Sequence, residues 1–285
     1  MGSPRLQIVF AAALLSTGGA AIKSCALTGW QVASFRSGLA ACTLFLVFPA
    51  WRRLWEPRTL LVACSYAATM TLFVISNKLT TAANAIFLQA TAPLYLLVLG
   101  PWILHERVGR GELILTLVIG LGMVMFFLGA QPPLETAPDP FLGNILAACL
   151  GVLWGTTLLG LRWLGRETRR AASVGRAVVA GNFITCLFCL PMAFPLGAVT
   201  ATDLAIVGYL GLFQIALAYT VMTFGVRHVP ALEASLLLLL EPVLSAMWAW
   251  ALHGEAPGPW SGAGCITIFV ASVLRAVAAG RSSSG

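Results

Sequence analysis

Residues 83–104 read ANAIFLQATAPLYLLVLGPWIL and residues 231–252 read ALEASLLLLLEPVLSAMWAWAL. A helix needs about 20 apolar residues to cross a hydrocarbon core of about 30 Å, so each stretch predicts one membrane span with a proline in its middle. A shift of 149 positions, from Pro93 to Pro242, also lays Ala85 on Ala234, Lys78 on Arg227, Glu106 on Glu255 and Gly109 on Gly258. Each stretch therefore closes with a Glu at its exit, a short Gly-containing turn and a Gly-rich run. That ordered recurrence marks an internal repeat.

Working away from the pair, the same reading places ten spans near residues 5–23, 30–50, 59–78, 83–104, 111–129, 141–163, 174–195, 202–224, 231–252 and 259–278. Composition agrees: of 285 residues 59% are hydrophobic and only 9% charged, too few charges to cover a soluble surface. The spans seldom alternate apolar with polar residues, which favours helices over the strands of an outer-membrane barrel. Two units follow, residues 1–130 and 141–285, joined by a linker at 131–140 that holds Pro132, Pro133, Pro138 and Pro140. Five is odd, so the second unit enters the membrane from the opposite side. The expected fold is an all-α integral membrane protein of ten helices, two inverted five-helix repeats around a central cavity. That plan is typical of carriers that hold a small molecule near the bilayer midplane and rock about it.

Charge placement sets the orientation. The net charge of +7 does not read as a nucleic-acid surface, because the arginines gather in alternate loops: Arg52, Arg53 and Arg58; Arg107 and Arg110; Arg162, Arg166, Arg169, Arg170 and Arg176. The loops at 131–140 and 195–203 hold no Lys or Arg. By the positive-inside rule both termini are expected in the cytoplasm, with the chain in the inner (plasma) membrane. The apolar run after Arg5 is read as the first helix, since nine more spans follow. Lys23 and Lys78 are exceptions near outer span ends, where lysines usually snorkel to the headgroups. Seven cysteines lie mostly within spans, and the pair Cys186/Cys189 reads as apolar packing, since nothing in hydrocarbon activates a thiolate.

The ten-span plan, Trp154-Gly155 in the sixth helix, Glu241-Pro242 in the ninth and Glu255 before a Gly-rich tenth resemble the drug/metabolite transporter superfamily, EamA branch. The resemblance implies that helices 1, 3, 4, 6, 8 and 9 surround the cavity and that helices 5 and 10 lie at the edge. It also implies export of small metabolites, with YddG-like amino-acid exporters the nearest type and aromatic or broadly neutral amino acids the substrates. The aromatic-rich stretch of that type is replaced here by Gln89-Ala90-Thr91-Ala92-Pro93. Nucleotide sugars and drug-like amines are the alternative substrates.

A carried solute needs polar and aromatic side chains on a cavity wall, and at about 100° per residue the helical spans bring such residues onto shared faces. Tyr66, Thr69, Phe73, Ser76, Asn77 and Thr80 share an arc of the third span; Asn84, Thr91 and Tyr95 share one of the fourth, with Gln89 to the side. Tyr209, Thr220 and Thr223 align in the eighth, with Tyr219 at the edge, and Ser16, Gly19 and Lys23 share a face of the first, beside a Gly18-Gly19 pair that allows close backbone approach. Trp154 sits too deep for the interfacial belt. Such stripes also arise as hydrogen bonding between helices, and Trp154 as core packing. Glu241 is a carboxylate deep in a span, to be explained by proton coupling or by partners freed at Pro242. Arg36, inside the second span, either snorkels or pairs with a polar neighbour. The expected substrate contacts are Lys23, Tyr66, Phe73, Asn77, Asn84, Thr91, Tyr95, Trp154, Tyr219, Thr220 and Glu241, with Pro93 and Pro242 as bends. Gly151/Gly155 and Gly258/Gly262 read as packing pairs, the second able to serve a dimer although a monomer is expected. No metal spacing joins His105, His228 and His253, so neither a metal nor a cofactor is expected and an intramembrane enzyme is the remote alternative. The expected partners are a small-molecule substrate and the lipid bilayer.

Overall fold

A computed structural model of the protein describes residues 4–52, 56–92, 135–165, 171–226 and 240–254, together with 95, 99, 114, 117, 118, 120–122, 124, 125, 238, 258–260, 262–264, 266, 267 and 270. All regular secondary structure among them is helical. The helices are α1 (Pro4–Ser16), α2 (Gly18–Ser24), α3 (Gly29–Val47), α4 (Pro57–Leu79), α5 (Ala82–Gln89), α6 (Pro140–Gly165), α7 (Ala171–Cys189), α8 (Ala201–Tyr209), α9 (Ala218–Val226) and α10 (Leu240–His253). A π-helical segment, Leu210–Leu217, joins α8 to α9 without a break. Among the described residues six helices are long and apolar enough to cross a membrane: Pro4–Ser24, Gly29–Val47, Pro57–Leu79, Pro140–Leu161, Ala172–Ala193 and Ala201–Met222. They coincide with six expected spans to within a few residues. The expected spans at 111–129 and 259–278 lie largely outside the described residues, as do Pro93, Glu106 and Glu255.

Local chemistry fixes the helix starts. Thr28 and Gln31 form a capping box at α3, where Gln31 N donates to Thr28 Oγ1 (3.3 Å) and Thr28 N donates to Gln31 Oε1 (2.9 Å). Thr200 and Asp203 repeat the device at α8. Thr81 caps α5 through Asn84 N (3.2 Å), and Pro57 and Pro140 open α4 and α6 where a missing N–H costs nothing. Outward surfaces are apolar, with Leu46, Leu61, Phe141, Leu187, Leu204 and Trp250 each more than half exposed, as lipid contact requires.

The two halves interleave. α4 packs along α6 and α7, α3 along α7 and the π segment, and α1 along α9 and α10. Without a hydrophobic drive between helices in lipid, close backbone approach and hydrogen bonds must hold these contacts. Ser65 Oγ lies 2.8 Å from Thr156 Oγ1 and 3.0 Å from Thr157 Oγ1, and Thr69 Oγ1 lies 3.0 Å from Thr157 Oγ1. Gly151 seats α6 on α5: a Cβ there would stand 2.7 Å from Leu88 O and 2.6 Å from Thr91 Oγ1. Since Leu88 O is backbone, Gly151→Ala must push the helices apart. A loss of about 1–3 kcal/mol is expected, measurable as a lower melting midpoint in detergent.

The loops sort to two ends. At one, Lys23 Nζ donates to Thr136 O, Asp139 N to Leu79 O (3.1 Å), Ala26 N to Asp203 Oδ1 (2.7 Å) and Gln31 Nε2 to Ala193 O (3.0 Å). At the other, Arg176 Nε donates to Ala50 O (3.1 Å), Arg52 caps carbonyls of Phe45 and Leu46, and Arg58 lies 5.4 Å over the Trp163 ring. Among the described residues Arg52, Arg58 and Arg176 thus share one end, and the turns at 24–28, 136–139 and 193–203 share the other.

Candidate functional site

Three chain features open a cavity where the halves meet. The first span breaks at Thr17, whose Oγ1 donates to Leu14 O (2.7 Å) and contacts Tyr209 Oη (2.8 Å). Gly18 follows, and its bare Cα admits the Gln214 amide: a Cβ would stand 2.7 Å from Gln214 Nε2. Opposite, the π segment carries Gly211, whose missing Cβ lets its backbone approach Arg36 O (2.9 Å from the Cβ position). A π segment of this kind shifts the phase of everything beyond it, and such segments collect at functional sites.

The cavity measures about 30 Å³. Its walls are Leu15 of α1, Arg36 of α3, Met70 and Phe73 of α4, Gln89 of α5, Trp154 of α6, Gln214 and Ile215 of the π segment, Tyr219 of α9 and Glu241 of α10. At 1.5 Å rise per residue, Arg36 lies about 10 Å from the start of α3 and about 16 Å from its end, well inside a helix long and apolar enough to cross a membrane. Room for about one or two waters is far below the roughly 300 Å³ at which ligand pockets begin. A solute larger than a few waters needs more room than these walls leave.

Arg36 is among the largest fully buried side chains of the described residues, at 0% exposure. Its Nη1 donates to Gln214 Oε1 (3.4 Å), its Nη2 to Met70 O (3.2 Å), and the guanidinium lies 5.4 Å from the Phe73 ring centroid. Of the two expectations for Arg36, pairing holds and snorkelling does not. Tyr219 meets Tyr66 edge-on at 5.6 Å between centroids, and Tyr66 Oη accepts from Asn182 Nδ2 (3.1 Å), which stiffens that wall. No hydrogen bond or ion pair holds the Glu241 carboxylate among the described residues, although Pro242 beside it is buried. The expected backbone partners for Glu241 are therefore not seen there.

Of the residues expected at the site, Phe73, Trp154, Tyr219 and Glu241 face the cavity, and Tyr66 backs it. Asn84, Thr91 and Tyr95 do not line it. Asn84 Nδ2 lies 3.3 Å from Asn144 Oδ1, and Thr91 and Tyr95 press on Gly151 and Gly155, so their shared arc is the contact of the fourth span with α6. Asn77 donates to Phe73 O (2.8 Å) and stands against Gly19, and Thr220 donates to Ala216 O (2.7 Å). Lys23 is bound to the linker at Thr136 O, and Lys78 Nζ donates to Cys25 O: these lysines tie loops together. Pro93 and the Thr223 side chain lie outside what the structure describes. Gln89, expected to the side of the polar arc, lines the cavity together with Gln214 and Arg36, none of them among the expected substrate contacts. The available signal was an arginine and two glutamines inside apolar spans, where a buried polar group asks for a reason.

A solved crystal structure resembles this chain with a TM-score of 0.67 and 18% sequence identity, covering 98% of each chain, which shows the fold. No curated protein matches the sequence. The model of the EamA-like transporter family matches residues 5–128 and again residues 141–276. With both halves matched over most of its length, the chain belongs to the EamA-like transporter family.

Proposed function

We propose that the protein carries amino acids, aromatic or broadly neutral, across the inner membrane by alternating access, as a monomer of ten helices in two inverted repeats with both termini in the cytoplasm. Family membership makes it a secondary membrane transporter of small molecules. The observation that carries the substrate reading is the cavity itself. Residues from both halves surround it with aromatic rings (Phe73, Trp154, Tyr219), two amides (Gln89, Gln214) and one side chain of each charge. Small amphiphiles bearing both charges fit such walls. A nucleotide diphosphate would ask for several cations, and Arg36 alone supplies one there among the described residues. The two family matches flank the 131–140 linker, and the loops alternate between two ends, which supports the inverted plan.

The test is uptake of a labelled amino-acid panel into liposomes holding the purified protein, with and without a pH gradient. Saturable uptake competed by unlabelled amino acid is expected. Flux of nucleotide sugars or drug-like amines with no amino-acid flux would overturn the substrate assignment, and no flux of any panel compound would overturn the transport reading.

A further inference from the structure

We propose that Arg36 is the anchor for the substrate's carboxylate and so sets the class of molecule carried; the inference rests on the amino-acid transport reading above. Three observations meet at this side chain. It has no exposed surface, yet it lines the cavity. Its described partners are neutral: the Gln214 amide, the Met70 carbonyl and the Phe73 ring. Its Nε–H is buried with no acceptor.

Guanidinium keeps its proton, so the site holds a cation in a water-poor setting with donors to spare. A charge buried without a counter-charge costs several kcal/mol, a cost that a protein keeps where the missing anion arrives with a ligand. Glu241 lines the same cavity, but no ion pair joins it to Arg36 among the described residues. Arg36 thus offers a planar fork shaped for two carboxylate oxygens. Gln214, admitted by the absence of a side chain at Gly18, takes Nη1 and the Met70 carbonyl takes Nη2, which leaves the Nε–H as the donor still without an acceptor. Glu241 on another wall faces the ammonium end. The pair reads the two charges of a zwitterion at once, and the aromatic wall takes the side chain.

Competition in wild-type liposomes tests this without any variant. The fastest-moving amino acid of the panel is challenged with itself, with its carboxamide and with its decarboxylated amine, which keep the ammonium and the side chain. Both analogues are expected to compete about tenfold to a hundredfold more weakly than the amino acid, the range for losing hydrogen bonds to a charged group. In R36K, which keeps the charge and loses the fork, and in R36Q, which loses both, that preference is expected to shrink stepwise while tryptophan fluorescence reports a folded protein. Analogues that compete as well as the amino acid would overturn the anchor while leaving amino-acid transport standing. The absence of amino-acid uptake in wild type would overturn the transport reading and the anchor with it.

Discussion

Glu241→Gln is expected to lower amino-acid uptake at least about tenfold, with and without a pH gradient, while leaving the melting midpoint unchanged or raised. The split between function and stability follows from what the carboxylate touches. It faces the cavity and carries no hydrogen bond or ion pair among the described residues, so the amide takes nothing from the fold. A charged carboxylate inside hydrocarbon costs about 2.5–3.5 kcal/mol on insertion scales, and removing that cost offsets any lost packing. What Gln cannot do is answer a substrate ammonium with a full negative charge. Uptake equal to wild type in E241Q would make the residue a spacer beside Pro242. A wild-type rate stimulated by the gradient, with a mutant insensitive to it, would make Glu241 a proton carrier as well.

Six of the expected spans were legible because hydropathy over 20 residues is a sum, and a sum tolerates local error. Capping also reads locally: Thr28, Thr81 and Thr200 each stand one residue before their helices. The site was legible only in part. Projection at 100° finds the polar face of a helix, and it cannot say whether that face meets a cavity or a neighbour. In the fourth span the polar arc of Asn84, Thr91 and Tyr95 meets α6, and Gln89, off that arc, meets the cavity. In the eighth span the π segment changes the turn angle midway, so residues before and after it cannot be projected together. Tyr209 binds Thr17 while Tyr219 lines the cavity, and Gln214 enters from within the π segment itself. Arg36 required Gln214, a neighbour 178 positions away, to be understood. Single bulky or charged residues deep in a span, Trp154 and Glu241, were easier, because their depth alone sets them apart.

Asp203→Ala is expected to lower the melting midpoint by roughly 5 °C or more and to speed labelling of Cys25 by maleimide in detergent. Asp203 does two jobs with two oxygens. Oδ2 accepts from Thr200 N (3.0 Å) and Thr200 Oγ1 (2.6 Å), closing the capping box that starts α8. Oδ1 accepts from Ala26 N (2.7 Å) and Cys25 Sγ (3.3 Å), fixing the turn between the first two spans against the eighth. Burial raises the Cys25 thiol above its ordinary pKa, so the S–H stays protonated near neutrality and remains a donor. Lys78 holds the same turn through Cys25 O, and Lys23 holds the linker through Thr136 O, so this end is closed by bonds among four segments. Alanine removes the acceptor common to two of them and leaves Ala26 N and Thr200 N unpaired, which loosens an end that the proposed alternating access would open. Cys25, 2% exposed in the closed form, then reports the opening directly in a chain whose other six cysteines are serine. Labelling as slow as in the parent chain, alongside a lowered melting midpoint, would confine Asp203 to capping α8. Faster labelling that amino acid suppresses would tie this end to the transport cycle.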